Sequence, residues 1–212
     1  MMKILIADDH PIVRRGLKQI LAEEPDLAVA GEARSSQEVM ELVRKQDWNA
    51  VILDITMPGR GGLETLREIR KERPKLPVLI LSMHSEDQYG VRALKAGAAG
   101  YMTKESAPEK LVQALRKIMK GDKYISPTLA EKLVLDLERG TPNSLHETLS
   151  DREHQVMSMI ASGKTVSEIG KDLFLSVKTI STYRSRVLKK MKMKNNAELT
   201  HYAIRNRLVQ LE

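Results

Sequence analysis

Short, almost unbroken apolar runs lie at Lys3 to Asp8, Leu27 to Ala33, Ala50 to Ile55, Pro77 to Met83 and Gly100 to Lys104. Apolar runs of this length without polar alternation predict strands buried on both faces. Between them the apolar positions take helical spacing, as in Ile12, Leu17, Ile20 and Leu21, then Val39, Leu42 and Val43, then Leu63, Leu66 and Ile69. A last helix of this set is expected from Ala107 to about Lys120. Strand-helix repetition predicts an α/β fold, a doubly wound five-stranded parallel sheet of the flavodoxin-like kind with helices on both faces.

After Lys120 the pattern changes. Leu129, Leu133 and Leu137 fall at i, i+4 and i+8, which predicts one helix from Thr128 to Arg139, closed by Gly140 and Pro142. The stretch from Gly140 to Ser144 reads as a flexible joint. From Leu149 onward the spacing is helical throughout. Ser150 and Glu153 form a capping box before Val156, Met159 and Ile160, and Gly163 stops that helix. A short helix from Val166 to Leu173, a second cap at Ser176, a long helix to about Met193 and a fourth near Asn196 complete a small all-α region. Two helices joined by a tight turn, the second of them strongly basic, predict a helix-turn-helix. The expected domains are residues 1–121, a linker with one helix at 122–145, and a helical domain at 146–212.

The chain has 212 residues, 42% hydrophobic and 30% charged, which suits two folded domains and excludes disorder throughout. With no cysteine, disulfide scaffolds, iron–sulfur clusters, thiolate zinc sites and cysteine nucleophiles are all excluded. No apolar run reaches a membrane span, and the opening MMKILIADDH is unlike a signal peptide, so a cytoplasmic protein without a membrane partner is expected. The net charge of +7 is unevenly placed: from Leu149 to the end, 12 Lys or Arg face 6 Asp or Glu, whereas the rest of the chain holds 23 and 22. A basic tail behind a nearly neutral front points to a polyanion, with nucleic acid foremost.

In doubly wound folds, ligands gather at the carboxyl ends of the strands. Asp8 and Asp9, Asp54, Ser82 and Lys104 stand there. Three carboxylates at one edge call for a cation, and an oxygen donor set favours a hard ion such as Mg²⁺. Such a carboxylate can attack a phosphoryl donor while a Lys ammonium and a Ser hydroxyl hold its oxygens. Taken alone, Asp8 and Asp9 also fit a helix N-cap before His10 and Pro11, Tyr101 fits a core aromatic, and His10 fits a local hydrogen bond.

Asp8 and Asp9, the run LDITMPGRGG around Asp54, Leu81 with Ser82, and Tyr101 with Lys104 in GYMTKES resemble the receiver domain of bacterial two-component response regulators, over roughly residues 2 to 120. The resemblance implies that Asp54 is the phosphoacceptor for a sensor histidine kinase. It implies that Mg²⁺ is held by Asp8, Asp9, Asp54 and the Thr56 backbone carbonyl. Ser82 and Lys104 would contact the phosphoryl group, and Ser82 and Tyr101 would act as the switch pair. Thr56 and His84 would tune phosphate lifetime. Receivers often carry proline after the lysine, whereas Glu105 follows here, which disfavours a cis bond by about 3–4 kcal/mol.

Eight Lys or Arg and a single Asp lie between Lys171 and Lys194. A solvated helix face would explain such a run. The segment from Thr148 to Leu199, however, is similar to the LuxR-type helix-turn-helix, a likeness that covers roughly residues 146 to 210, so the whole chain resembles the NarL/FixJ subfamily. The resemblance implies base-edge contacts by Ser181, Thr182 and Ser185 and phosphate contacts by Lys178, Thr179, Tyr183, Arg186 and Lys189 on promoter DNA. A homodimer is expected to form on phosphorylation or DNA binding through the helix holding Leu199 and Tyr202, the receiver covering the recognition helix until then. Two other functions compete. An aspartyl-phosphate phosphohydrolase needs a second Asp two residues after the first, where Thr56 stands. A constitutive architectural DNA binder would leave the acidic cluster without a purpose.

Overall fold

In the computed structural model, residues 1–139, 144–206 and 208–209 are described. The chain divides into two compact units, residues 1–130 and 131–212. In the first, β1 (Met2–Ala7), β2 (Leu27–Ala33), β3 (Ala50–Asp54), β4 (Val78–Ser82) and β5 (Gly100–Thr103) form one parallel sheet in the order β2-β1-β3-β4-β5. The helices between them are α1 (Pro11–Ala22), α2 (Ser36–Lys45), α3 (Gly62–Glu72), α4 (Glu86–Lys95) and α5 (Ala107–Met119). The doubly wound sheet expected from the apolar runs is therefore present. The order reverses between β1 and β3, which opens a crevice at their carboxyl ends.

Side-chain alternation along the strands splits the core in two. Leu5, Val51, Leu53, Val78, Ile80 and Tyr101 pack with α2, α3 and α4, whereas Ile4, Ile6, Ile52, Leu79, Leu81 and Met102 pack with α1 and α5. Trp48, the single tryptophan of the chain, lies in the first of these layers and donates its indole N–H to the Leu42 carbonyl at 2.9 Å.

Several boundaries differ from the expected ones. Lys104 does not extend β5 but opens a 3₁₀ turn, Lys104–Ser106, fastened where the Ser106 hydroxyl donates to the Thr103 carbonyl at 3.0 Å. The described peptide bonds are all trans, Lys104–Glu105 among them. The N-cap of α1 is His10 with Pro11 in the first turn, and no side chain caps it, so Asp8 and Asp9 are not its caps. A further helix, α6 (Pro127–Arg139), is the one expected within the linker, and its first residues belong to the first unit. Tyr124 bridges Gly100 on the free edge of β5, and Leu129 fits where a Cβ at Gly90 would stand 2.6 Å from its Cδ1. Gly140, Pro142 and most of the joint to Ser144 lie outside the described residues, as does the side chain of Leu137.

The second unit holds α7 (Asp151–Ala161), α8 (Val166–Asp172), α9 (Val177–Lys190) and α10 (Asn196–Arg205) around a core that includes Val156, Ile160, Ile169, Ile180, Val187 and Leu199. Ser150 and Glu153 form the expected capping box, and Thr165 with Glu168 forms another before α8. Ser176 caps α9 by accepting from the Thr179 N–H at 3.0 Å. The long helix ends at Lys190 rather than near Met193. Lys192 turns left-handed at φ +54°, and the Met193 N–H reaches the Leu188 carbonyl at 2.9 Å, a Schellman closure without glycine. Phe174 closes α8 in the same way, with φ +54° and the Leu175 N–H bonded to the Gly170 carbonyl at 2.9 Å.

Candidate functional site

The crevice between β1 and β3 collects the acidic groups. Asp54 ends β3 and is 2% exposed, Asp8 follows β1 and is 1% exposed, and Ser82 ends β4 fully buried. The Lys104 ammonium stands 2.9 Å from Asp54 Oδ2 and 2.7 Å from Asp8 Oδ2. The Thr56 N–H donates to Asp54 Oδ1 at 3.2 Å. Burial pushes the Asp54 carboxyl up to about 6, with the Asp8 charge adding to the rise and Lys104 and the Thr56 N–H opposing it. For Lys104, burial acts downward, but the Asp54 and Asp8 carboxylates outweigh it and hold the ammonium above its ordinary value.

Ligand atoms of Asp8, Asp9, His10 and Asp54 all lie within 4.8 Å of one another. Three carboxylates against one Lys104 ammonium leave a local charge of −2 when all are ionised. Oxygen donors in that number, at that spacing and charge, fit a hard divalent cation with few protein ligands. His10 makes the local contacts expected of it, its Nδ1 lying 2.9 Å from Asp9 Oδ1 and 3.3 Å from Asp8 Oδ1. It also adds a nitrogen to a cluster expected to offer oxygen donors alone.

Two positions that hold this loop were missed in the sequence. The Arg14 guanidinium, 6% exposed, donates to the Asp8 carbonyl at 2.8 Å and to Glu32 at 3.0 Å. Its signal was available, because Arg14, Leu17 and Leu21 share one buried stripe of α1 and a cation there needs partners. Gly62 opens α3 so close to β3 that a Cβ would stand 2.2 Å from the Asp54 carbonyl oxygen. Tyr101 is fully buried, its hydroxyl donating to the His84 carbonyl at 2.8 Å, and burial pushes its pKa well above the ordinary phenol value so that the phenol stays protonated. The Ser82 hydroxyl accepts from the His84 N–H at 3.1 Å, so the β4–α4 loop joins Ser82 to Tyr101.

On α9, Lys178, Ser181, Thr182, Ser185, Arg186 and Lys189 are exposed along one side. Thr179 and Tyr183 are half-buried, Thr179 being bonded to the Ser176 hydroxyl at 2.8 Å and Tyr183 packing against the core. Arg184 and Lys190 turn elsewhere, to Asn196 at 2.7 Å and Glu153 at 2.6 Å. Thr182 and Ser185 donate their hydroxyl protons to the Lys178 and Ser181 carbonyls, each at 3.0 Å. Leu199 is fully buried in the core of its own domain and has no surface to offer a second chain, which corrects its assignment to a dimer contact. Tyr202 is half-buried and bonds through its hydroxyl to His146 Nδ1 at 3.0 Å.

The response regulator receiver domain family matches residues 4–116, and bacterial regulatory proteins of the luxR family match residues 147–203. Response regulator GacA of Pseudomonas aeruginosa is 38% identical over 210 residues, covering 99% of this chain and 98% of that protein. The chain is a response regulator. Response regulator UvrY of Escherichia coli K12 is 37% identical over 213 residues, 100% and 98% of the two proteins. Among solved structures, RcsB of Salmonella enterica serovar Typhimurium, bound to promoter rprA in the presence of phosphomimetic BeF3−, is similar at a TM-score of 0.64 and 27% identity. That match covers 95% of this chain and 97% of RcsB. A LuxR-family response regulator from Aurantimonas covers 63% of this chain and 96% of its own, at 38% identity and a TM-score of 0.58. The regulator is of the NarL/FixJ type, with a receiver followed by a DNA-binding LuxR-type domain, and it acts on transcription within a two-component system. Among the described residues no helix is long and apolar enough to cross a membrane.

Proposed function

We propose that Asp54 accepts a phosphoryl group from a sensor histidine kinase, and that phosphorylation controls dimerisation and promoter binding by α7 to α10. The observation that carries this reading is the buried Asp54 carboxylate held 2.9 Å from Lys104 beside Asp8 in a pocket of net negative charge. Asp8, Asp9, Asp54 and the Thr56 carbonyl would hold Mg²⁺, with His10 beside them; the ion supplies positive charge to the transferring group. An Asp54 oxygen forms the new P–O bond as the P–N bond to the donor imidazole breaks, the electron pair leaving with the imidazole. Lys104 and the Ser82 hydroxyl take the phosphoryl oxygens. Ser82 then has a new partner, and the β4–α4 loop that it shares with Tyr101 relays the change. Thr56 and His84, beside the acceptor and Ser82, tune the phosphate lifetime.

The α9 face enters the major groove, with Ser181, Thr182 and Ser185 at base edges and Lys178, Arg186 and Lys189 on phosphates. Thr179 and Tyr183 make the closer backbone contacts at the edge of that face. Two copies pair around Tyr202 on α10, with Leu199 supporting the helix from within, and a regulator of promoters works in the cytoplasm, where the DNA is. Labelling with acetyl phosphate tests the phosphoacceptor. Wild type is expected to incorporate phosphate only with Mg²⁺, and Asp54→Asn none. Full labelling of Asp54→Asn overturns the assignment, and unchanged DNA affinity and oligomeric state on phosphorylation would leave a constitutive binder.

A further inference from the structure

Among the described residues from Leu149 onward, two large apolar side chains are strongly exposed, Phe174 at 68% and Val177 at 51%. Both flank the Ser176 cap at the start of α9. Local stability selects neither. Phe174 occupies a left-handed position suited to glycine, and a β-branched residue exposed in a first helical turn gains nothing over alanine. Lys171 and Lys178 are exposed beside them, so the patch is continuous with the basic face.

Val177, Ser181 and Ser185 are four residues apart and succeed one another around α9 by about 40° per step, so Val177 extends the Ser181–Ser185 strip by one turn toward the helix N-terminus. That end of a recognition helix lies deepest against base edges. The two hydroxyls of Thr182 and Ser185 have donated their protons to helix carbonyls and present only lone pairs, which distinguish bases weakly. The major groove carries one apolar marker, the thymine 5-methyl group.

We propose that Val177 is a specificity-determining residue that packs on the 5-methyl group of one thymine in each half-site. The proposal rests on α9 being the groove-entering helix. The test uses the full chain and a duplex recovered from a random pool by binding to it, with each thymine replaced in turn by deoxyuridine, which removes only the methyl group. At one thymine per half-site wild type is expected to lose about fourfold in affinity, the value of burying one methyl. Val177→Ala should lose a similar factor on the thymine duplex and nothing further on the deoxyuridine duplex, while Val177→Thr, which keeps a methyl, should retain the discrimination. Equal sensitivity to methyl removal in wild type and Val177→Ala overturns the proposal, as does a recovered half-site without an invariant thymine. Lys178→Ala and Lys189→Ala separate the two levels. If they weaken binding while the methyl has no effect, only the Val177 contact fails; if neither affects a salt-dependent affinity, the placement of α9 fails as well.

Discussion

Replacing Asp54 by Asn should make the receiver more stable at neutral pH, because the native chain holds an ionised carboxyl where burial opposes it. In the unfolded chain this group has its ordinary value of 3.8, and in the folded receiver it stands at about 6. A folded value above the unfolded one means that the folded state binds the extra proton, so stability is highest at low pH and declines as pH rises from about 4 to about 6. Above that window the loss is complete, at about 3 kcal/mol for a shift of this size. Asparagine keeps the shape without the charge and escapes the loss. The advantage of Asp54→Asn is therefore about 3 kcal/mol at pH 7.5 and roughly half of that at pH 5. Urea unfolding followed by Trp48 fluorescence reads the receiver alone, since this single tryptophan sits in the receiver core. Adding Mg²⁺ should narrow the gap by stabilising wild type more than the variant. A wild type more stable than Asp54→Asn at pH 7.5 without Mg²⁺, or a difference independent of pH, refutes the reasoning.

Other expectations follow from contacts outside the acceptor. Arg14→Met removes the guanidinium that holds the Asp8 carbonyl and leaves Glu32 with Lys18 alone, so it should destabilise the receiver by about 2–4 kcal/mol in the same urea assay and weaken Mg²⁺ binding measured by titration. Gly62→Ala places a methyl 2.2 Å from the Asp54 carbonyl oxygen, so α3 or the end of β3 must move; the expected result is a loss of about 2 kcal/mol or more and slower labelling by acetyl phosphate. Lys178→Ala or Lys189→Ala should weaken all duplexes alike and reduce the salt slope by about one unit, whereas Thr182→Ala should alter preference among sites, both read by binding titrations at several salt concentrations.

The parallel sheet was legible because strands buried on both faces become apolar runs, and polar residues that break those runs at their carboxyl ends stand out. Asp8, Asp54, Ser82 and Lys104 were found in that way, and the structure brings the Lys104 ammonium into contact with both Asp8 and Asp54. Helix ends set by side-chain caps, such as Ser150 and Ser176, were equally readable. The closures at Phe174 and Lys192 were not, because both use left-handed residues other than glycine and only the carbonyls behind them make the turn favourable. Leu199 was misplaced for a related reason. An apolar residue on a helix looks alike in sequence whether it faces its own core or a partner, and only the packing of α10 against the rest of its domain decides.

The bridge at Tyr124 bears on how such chains can be recombined. β5 is the outer strand of the sheet, and an uncovered outer strand offers its backbone N–H and carbonyl groups to any extended chain that meets it. Tyr124 occupies those groups, accepting from the Tyr101 N–H at 3.1 Å and donating to the Ala99 carbonyl at 3.0 Å, while Lys123 reaches the Ala98 carbonyl at 2.6 Å. The segment after α5 thus works as a selvedge for the sheet rather than as a tether. An exchange of output domains spliced at residue 121 removes that seal and leaves a sticky margin, whereas one spliced after Ala130 carries the seal along with Leu129, which fills the space above Gly90.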